Sequence, residues 1–148
     1  MTSKHTATAD IIGQNCIAVR VRILNRVITK IYDDSLRPFE IKTSQMNILV
    51  VTARLGLARP SEICSRLKID MSTVSRNIDR LRSRGWIEIV DDDRDARAHQ
   101  VQLSRQGADL IEKAAPAWEQ AQKKTRKLLG RSGVTSLLEA VEKVRNVA

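Results

Sequence analysis

The segment "DDDRDARAHQVQLS", Asp91 to Ser104, sets four carboxylates (Asp91, Asp92, Asp93, Asp95) beside two guanidinium groups (Arg94, Arg97) in a chain whose formal net charge is +9. Such a cluster could bind a hard divalent cation, solvate a turn, or hold an arginine in one direction for a partner. A calcium loop needs a glycine at its sharp turn and a distal bidentate glutamate, and the segment has neither. Just upstream, "DMSTVSRNIDRLRSRG" carries a second chemistry. With successive residues about 100° apart, Met71, Val74, Ile78 and Leu81 share one helical face, while Ser72, Arg76, Asp79, Arg80 and Ser83 share the other. Thr73 and Ser75 flank them. Arginine offers a planar fork for guanine edges, and serine and threonine bond to bases or phosphates, so this outer face has what a helix in the major groove requires. Taken alone, it also reads as an ordinary solvated surface.

Catalysis and metal binding find little support. His5 and His99 are the only histidines, and neither is paired in sequence with a plausible nucleophile. There is no glycine-rich phosphate loop and no zincin motif. Cys16 and Cys64 are too far apart for a zinc spacing or a disulfide framework, which points to a reducing compartment. Trp86 and Trp118 read as packing residues, and the scarcity of other aromatics argues against a single-strand or RNA stacking platform.

The elements that must position these residues are mostly helical. Asp10 to Leu36 repeats apolar residues three or four apart (Ile12, Cys16, Val19, Ile23, Val27, Ile31), with a second row at Ile17, Val21, Leu24 and Ile28. A helix apolar on that much of its surface must bury more than one side, which predicts a dimer helix. "KTSQMNILVVTARLG" predicts a second helix with Thr43 or Ser44 as N-cap and Gly56 past its end. A third opens at Pro60 in "RPSEICSRLKI", and a fourth runs from an Asp70 cap to Gly85. "WIEIV" and "HQVQLS" flank the acidic segment as a two-stranded hairpin. A long helix from Arg105 towards Leu129, kinked or broken at Pro116, and a last helix, "VTSLLEAVEKVRNVA", close the chain.

The chain has 148 residues and a pI near 10.2. It is long enough for one domain with a real core, or for two lobes sharing one. The basic balance favours a polyanionic partner, a property shared by ribosomal proteins, membrane-surface proteins and nucleases. "MTSKHTATAD" has no apolar run like that of a signal peptide, and no stretch has the roughly 18 apolar residues of a membrane span, so a soluble, cytoplasmic protein is expected.

Together "PSEICSRLKIDMSTVSRNIDRLRSRGWIEIV" and "DRDARAHQVQLSRQG", with an Asp-x-Arg and a following Leu-Ser-x-x-Gly, resemble the MarR family of transcriptional regulators. The resemblance implies a mostly α fold with a small β-hairpin: a winged helix-turn-helix over residues 41–105, and a helical dimerisation region from 1–40 and 106–148. It further implies that the hairpin is a wing whose tip arginine, here Arg97, enters the minor groove, and that Asp95 bonds to that arginine and fixes its direction. The DNA-binding residues expected are Ser72, Thr73, Ser75, Arg76, Arg80, Asp95 and Arg97.

What the resemblance implies about function is a homodimeric, sequence-specific regulator of double-stranded DNA, a repressor acting on a pseudo-palindromic operator. Its release by a small lipophilic or phenolic effector bound between the lobes is part of the same implication, with Arg20, Arg26 and Tyr32 as candidate ligand contacts. No cofactor, metal, membrane partner or enzymatic activity is expected. One branch of the family senses hydroperoxides through a first-helix cysteine, which makes Cys16 a redox candidate, although alignment on "TKIY" places that cysteine near Ala18. Cys64 reads as a small core residue. Two other readings stay open: a nucleoid-type architectural protein with little sequence preference, and a helical protein-interaction adaptor.

Overall fold

A computed structural model describes residues 4–95 and 97–147. Ten elements follow in chain order: α1 (Lys4–Asn15), α2 (Ile17–Leu36), a 3-10 turn (Arg37–Phe39), α3 (Thr43–Leu55), β1 (Leu57–Ala58), α4 (Pro60–Leu67), α5 (Met71–Ser83), β2 (Ile87–Asp91), β3 (His99–Leu103) and α6 (Arg105–Val144). The three strands form one antiparallel sheet in the order β1-β3-β2.

The first helix expected from Asp10 to Leu36 is two helices. Cys16 is extended (φ −67°, ψ 110°) and separates α1 from α2. The Arg20 guanidinium turns back across the break and donates to the carbonyl oxygens of Gln14, in the last turn of α1, and Cys16, the N-cap of α2. Apolar period alone carries no trace of this break, because both halves keep the same spacing.

The cap of α3 is also not the one expected. The N-cap position is Lys42, and the donors at the helix start are met by Asp33 of α2. Its Oδ1 accepts the Thr43 N–H at 2.8 Å and the Thr43 hydroxyl at 2.7 Å, and Lys42 Nζ lies 3.4 Å from Oδ2. Burial raises the pKa of Asp33, but the two Thr43 bonds and the Lys42 charge outweigh it and leave the pKa lowered. Gly56 ends α3 at φ 76°, a value few side chains tolerate.

A single core joins the elements. Ile48 and Leu49 of α3, Ile63 of α4, Val74 and Leu81 of α5, Ile87 of β2 and Val101 of β3 are fully or nearly fully buried, together with Leu36 and Ala114. Strand β1 was not foreseen; two residues are too few to show alternation, and it exists by pairing Leu57 with Gln102 and Ala58 with Val101.

Just past the end of the central strand β3, Ser104 caps α6. Its Oγ accepts the Gly107 N–H at 3.0 Å and donates to the Gly85 carbonyl at 2.6 Å, tying the end of the wing to the turn after α5.

The long helix does not break at Pro116. Helical backbone continues through it, and the one non-helical residue is Gly130 (φ 70°, ψ 170°), beyond which the chain runs helically to Val144. Proline removes the donor that would reach the Glu112 carbonyl, but Pro116 and Glu112 lie on the exposed side of α6, where water can take its place. Gly130 adopts a conformation that L side chains avoid, which makes the glycine the stronger punctuation.

Candidate nucleic-acid interface

Helix α5 is built to expose one face and bury the other. Val74, Asn77, Ile78 and Leu81 are buried, whereas Ser72, Ser75, Arg76, Asp79, Arg80 and Ser83 are exposed and Thr73 is half-buried. Met71, expected on the inner face, is 47% exposed: it stands in the first turn, beyond the edge of the core. Among the described residues, Arg76 and Arg80 make no ion pair, so both guanidinium groups are available on the outer face.

Asp70 is the N-cap, as its position before the apolar repeat suggests. Its carboxylate accepts the Thr73 N–H at 2.8 Å and also the hydroxyls of Ser72 and Thr73. The Ser72 hydroxyl, then the Thr73 hydroxyl and amide, hold its pKa well below the usual carboxylate range. The two hydroxyls expected to meet DNA are therefore already committed as donors in the free protein. Each keeps lone pairs and must turn away from Asp70 before it can donate to a phosphate or base.

The acidic segment resolves into unlike roles. Asp91, Asp93 and Asp95 are exposed, whereas Asp92 is buried. Asp92 Oδ1 accepts the Arg94 N–H at 2.9 Å, and Oδ2 accepts from Arg59 Nε at 2.8 Å, with Arg59 Nη2 2.6 Å away as an ion pair. The Arg94 amide foremost, and then the Arg59 guanidinium, keep its carboxyl below its ordinary range despite burial. Asp92 is one of the four acidic residues read from the sequence, but its pairing with Arg59 leaves no local signal, because the partners are 33 positions apart.

Asp95 and Arg97 come together, but through the backbone. Asp95 Oδ1 accepts the Arg97 N–H at 3.0 Å, the Asp95 N–H donates to the Asp92 carbonyl at 3.2 Å, and the Ala98 N–H donates to the Asp95 carbonyl at 2.9 Å. Among the described residues no ion pair joins the Asp95 carboxylate to the Arg97 guanidinium, which is exposed. Ala96, between them, lies outside the described residues.

A second feature lies where the helices of the two expected regions meet. A cavity of about 510 Å³ is bounded by α2, α3 and α6, with Ile28, Tyr32, Met46, Val50, Ala115 and Trp118 among its lining residues. Thr43 and Asn47 add polar groups on one wall. The Tyr32 hydroxyl donates to Gln122 Oε1, and burial first of all raises its pKa, so it is a neutral phenol. Of the three candidate ligand contacts, Tyr32 lines this cavity. Arg20 sits at the α1–α2 break, and Arg26 lines a separate polar groove with Lys30, Asp34 and Arg37.

Cys16 is half-buried at that same break, and Cys64 is half-buried against the core. Among the described residues no group of three or more His, Cys, Asp or Glu side chains could hold a metal ion. No described helix is long and apolar enough to cross a membrane.

Comparison with known proteins places this arrangement. The sequence profile of the MarR family matches residues 39–98, which contain α3, α4, α5 and β2. An uncharacterised HTH-type transcriptional regulator of Bacillus subtilis, YwoH, is 31% identical over 99 residues, 67% of this chain and 61% of that protein. The multiple antibiotic resistance protein MarR of Salmonella typhimurium is 28% identical over 92 residues, 62% of this chain and 64% of its own. These alignments thus span less than two thirds of the curated relatives.

Likeness of fold extends further than likeness of sequence. A mutant MarR from E. coli, crystallised in complex with operator DNA, superposes with a TM-score of 0.81 at 23% identity, covering 90% of this chain and 96% of that one. Bordetella bronchiseptica BpsR, whose DNA binding is regulated by 6-hydroxynicotinic acid, gives 0.80 at 20% identity, covering 89% and 94%. With the family profile and the sequence relatives matching over its helix-turn-helix and wing, the chain belongs to the MarR family.

Proposed function

We propose that the protein is a sequence-specific regulator of transcription that binds double-stranded DNA as a homodimer. Helix α5 enters the major groove, and the β2–β3 wing lies along the adjacent minor groove. The observation that carries this reading is the pairing of an arginine-bearing outer face on α5 with a wing whose loop is fixed by buried and local hydrogen bonds. A solvated surface helix needs no such neighbour. Residues 41–105 are the DNA-binding lobe, and 1–40 with 106–148 the dimerisation lobe.

The second copy is supported by unpartnered apolar surface at both ends of the chain. Ile11, Ile12, Ile17, Val21 and Ile23 are each more than half exposed, as are Leu138 and Val144. So much aliphatic area on the terminal helices calls for a partner surface of the same kind. A two-fold dimer presents two α5 helices to half-sites about one helical turn, or a multiple of it, apart, so the operator is an inverted repeat.

The cavity fits a small lipophilic or phenolic effector: its walls are mostly apolar, with the Tyr32 hydroxyl, Thr43 and Asn47 as polar groups. Bounded by helices of both lobes, it offers a route to repression and release. A ligand that favours one lobe angle shifts the spacing of the two α5 helices away from the operator's, by no more than its differential affinity for the two states. The protein acts where its DNA is, in the cytoplasm, and the reading needs no catalytic group.

Selection of bound duplexes from random fragments tests it. The expected outcome is enrichment of one inverted repeat, protected as a two-fold footprint. Retention of all fragments alike would instead make the chain an architectural DNA-binding protein, and no retention at moderate salt an adaptor.

A further inference from the structure

Arg59 occupies an unexpected place. It is the N-cap of α4, a position that favours serine, threonine, aspartate or asparagine because the cap's side chain should accept an amide N–H. A guanidinium has no acceptor. The start of the helix is arranged without it: Pro60 brings no N–H, and the Arg59 N–H goes to Glu62 Oε2 at 2.8 Å. The side chain is thereby released from capping, and it crosses to the wing. A departure from local preference that is compensated nearby marks a residue held for another purpose.

That purpose is visible at Asp92. Two Arg59 nitrogens converge on Oδ2, at 2.8 and 2.6 Å, and the carboxylate they reach is only 2% exposed while Arg59 is 41% exposed. The other oxygen holds the Arg94 N–H, the Asp92 carbonyl accepts the Asp95 N–H, and the Asp95 carboxylate accepts the Arg97 N–H. An unbroken chain of bonds thus runs from the first turn of the helix-turn-helix to the arginine at the wing tip.

We propose that Arg59 is a positioning residue for the wing: by holding Asp92 it fixes the loop and so presents Arg97 to DNA at a set position relative to α5. The inference rests on the reading of α5 and the wing as a DNA-binding unit. Its physical content is preorganisation. The loop from Asp92 to Ala98 joins only two five-residue strands, and ordering it before DNA arrives removes that entropic cost from binding. Because Asp92 is buried, removing Arg59 leaves its carboxylate uncompensated and drives it towards water, which releases the loop.

The alternative is that Arg59, partly exposed and cationic, touches a phosphate itself. Four chains separate the two: wild type, Arg59→Ala, Arg97→Ala and the double variant, each measured for operator affinity across a range of salt. Positioning predicts that Arg59→Ala weakens operator binding about tenfold and that the double variant binds no more weakly than Arg97→Ala alone. Arg59→Lys, which keeps the charge without the planar pair of donors, should restore only part of the loss. Additive losses, with the salt slope reduced by about one for Arg59→Ala, would overturn the proposal in favour of a phosphate contact.

A readout without DNA keeps this separate from the functional reading. In the free dimer, amide exchange at Arg94, Asp95 and Arg97 should accelerate in Arg59→Ala, while exchange in α3 and α5 stays as in wild type. Unchanged exchange at the wing overturns the pin even if DNA binding falls. If Arg59→Ala does not fold, Arg59→Lys and Arg59→Gln carry the same exchange test. A wild-type chain that binds no DNA, with exchange behaving as expected, would leave the Arg59–Asp92 pin in place and remove the function assigned to it.

Discussion

A Cβ added to Gly107 would stand 2.1 Å from the carbonyl oxygen of Trp86. This contact explains why the residue three positions after Ser104 is glycine: the first turn of α6 lies directly on the backbone entering β2, while the Ser104 hydroxyl accepts the Gly107 N–H and the Ser104 N–H donates to the Trp86 carbonyl at 3.1 Å. Gly107→Ala must push helix and sheet apart, with an expected loss of about 1 to 3 kcal/mol, the usual range for overpacking. Urea unfolding measures it. A loss below about 0.5 kcal/mol, the range of an unconstrained surface change, would show that the junction yields freely.

Arg76 and Arg80 share the exposed face of α5 but differ in place, Arg76 in the N-terminal half and Arg80 a turn later, where it borders a groove with Glu40, Ser83 and Arg84. A bidentate contact from Arg76 to guanine would contribute about 1 to 3 kcal/mol of base discrimination. Arg76→Ala is therefore expected to weaken operator binding more than binding to random duplex. Arg80→Ala, as a phosphate contact, should weaken both alike and reduce the salt slope by about one. Equal losses for both variants on both DNAs would contradict the division.

The apolar surface of the terminal helices carries the prediction about assembly. Leu138 is 62% exposed and Ile17 76%. Glutamate at either position should leave the core intact, because neither side chain reaches it, yet produce monomers that bind operator far more weakly than the parent dimer. Sedimentation checks the oligomeric state and circular dichroism the fold. A folded dimer carrying both substitutions would place the interface elsewhere.

These predictions rest on parts of the molecule that were unequally legible in the sequence. The Asp70 cap, the apolar face of α5 and the hairpin strands follow from local spacing, which reports what a residue does for its own element. Contacts between elements leave no such trace. Asp33 capping α3, Arg59 holding Asp92 and β1 pairing with β3 each join residues that become neighbours only when the chain folds. The helix breaks divide otherwise: Pro116 is a strong local signal that an exposed helix tolerates, whereas the end expected near Leu129 is met by the non-helical Gly130, with Ser132 and Gly133 just beyond it. Asp95 shows the remaining limit: the family resemblance implied a bond to Arg97, and that bond is made to the backbone amide and not to the guanidinium.

The Asp70 carboxylate makes α5 sensitive to acid. Its folded pKa is depressed, first by the Ser72 hydroxyl and then by the Thr73 hydroxyl and amide. A depressed carboxylate stabilises the fold above its unfolded value, near 3.9, and this contribution is lost as pH falls through the lower folded value. Asp70→Asn keeps an acceptor for the Thr73 N–H but does not ionise. The variant should thus lose stability relative to wild type at neutral pH, with the difference narrowing below about pH 4. Thermal unfolding across pH 2 to 7 measures it, and a difference constant over that range would show that the charge contributes nothing.

The wing provides the last prediction, because the Asp95 carboxylate bonds to the Arg97 amide and not to its guanidinium. If Asp95 shapes the turn through that amide, what it must keep is an acceptor oxygen at the same point, not a negative charge. Asp95→Asn retains the acceptor and removes a charge that repels phosphate, so operator affinity should hold or tighten. Asp95→Ala removes both, and two effects then oppose each other: lost repulsion strengthens binding, while a released turn weakens it. The expected sign is weaker binding, with little further loss when Arg97→Ala is added, since the turn then has no arginine to present. Titration of the two Asp95 variants and the double variant against operator settles it. Weakening by Asp95→Asn as large as by Asp95→Ala would mean that the charge itself steers the guanidinium in the complex, and tightening by both would reduce Asp95 to a solvated turn residue.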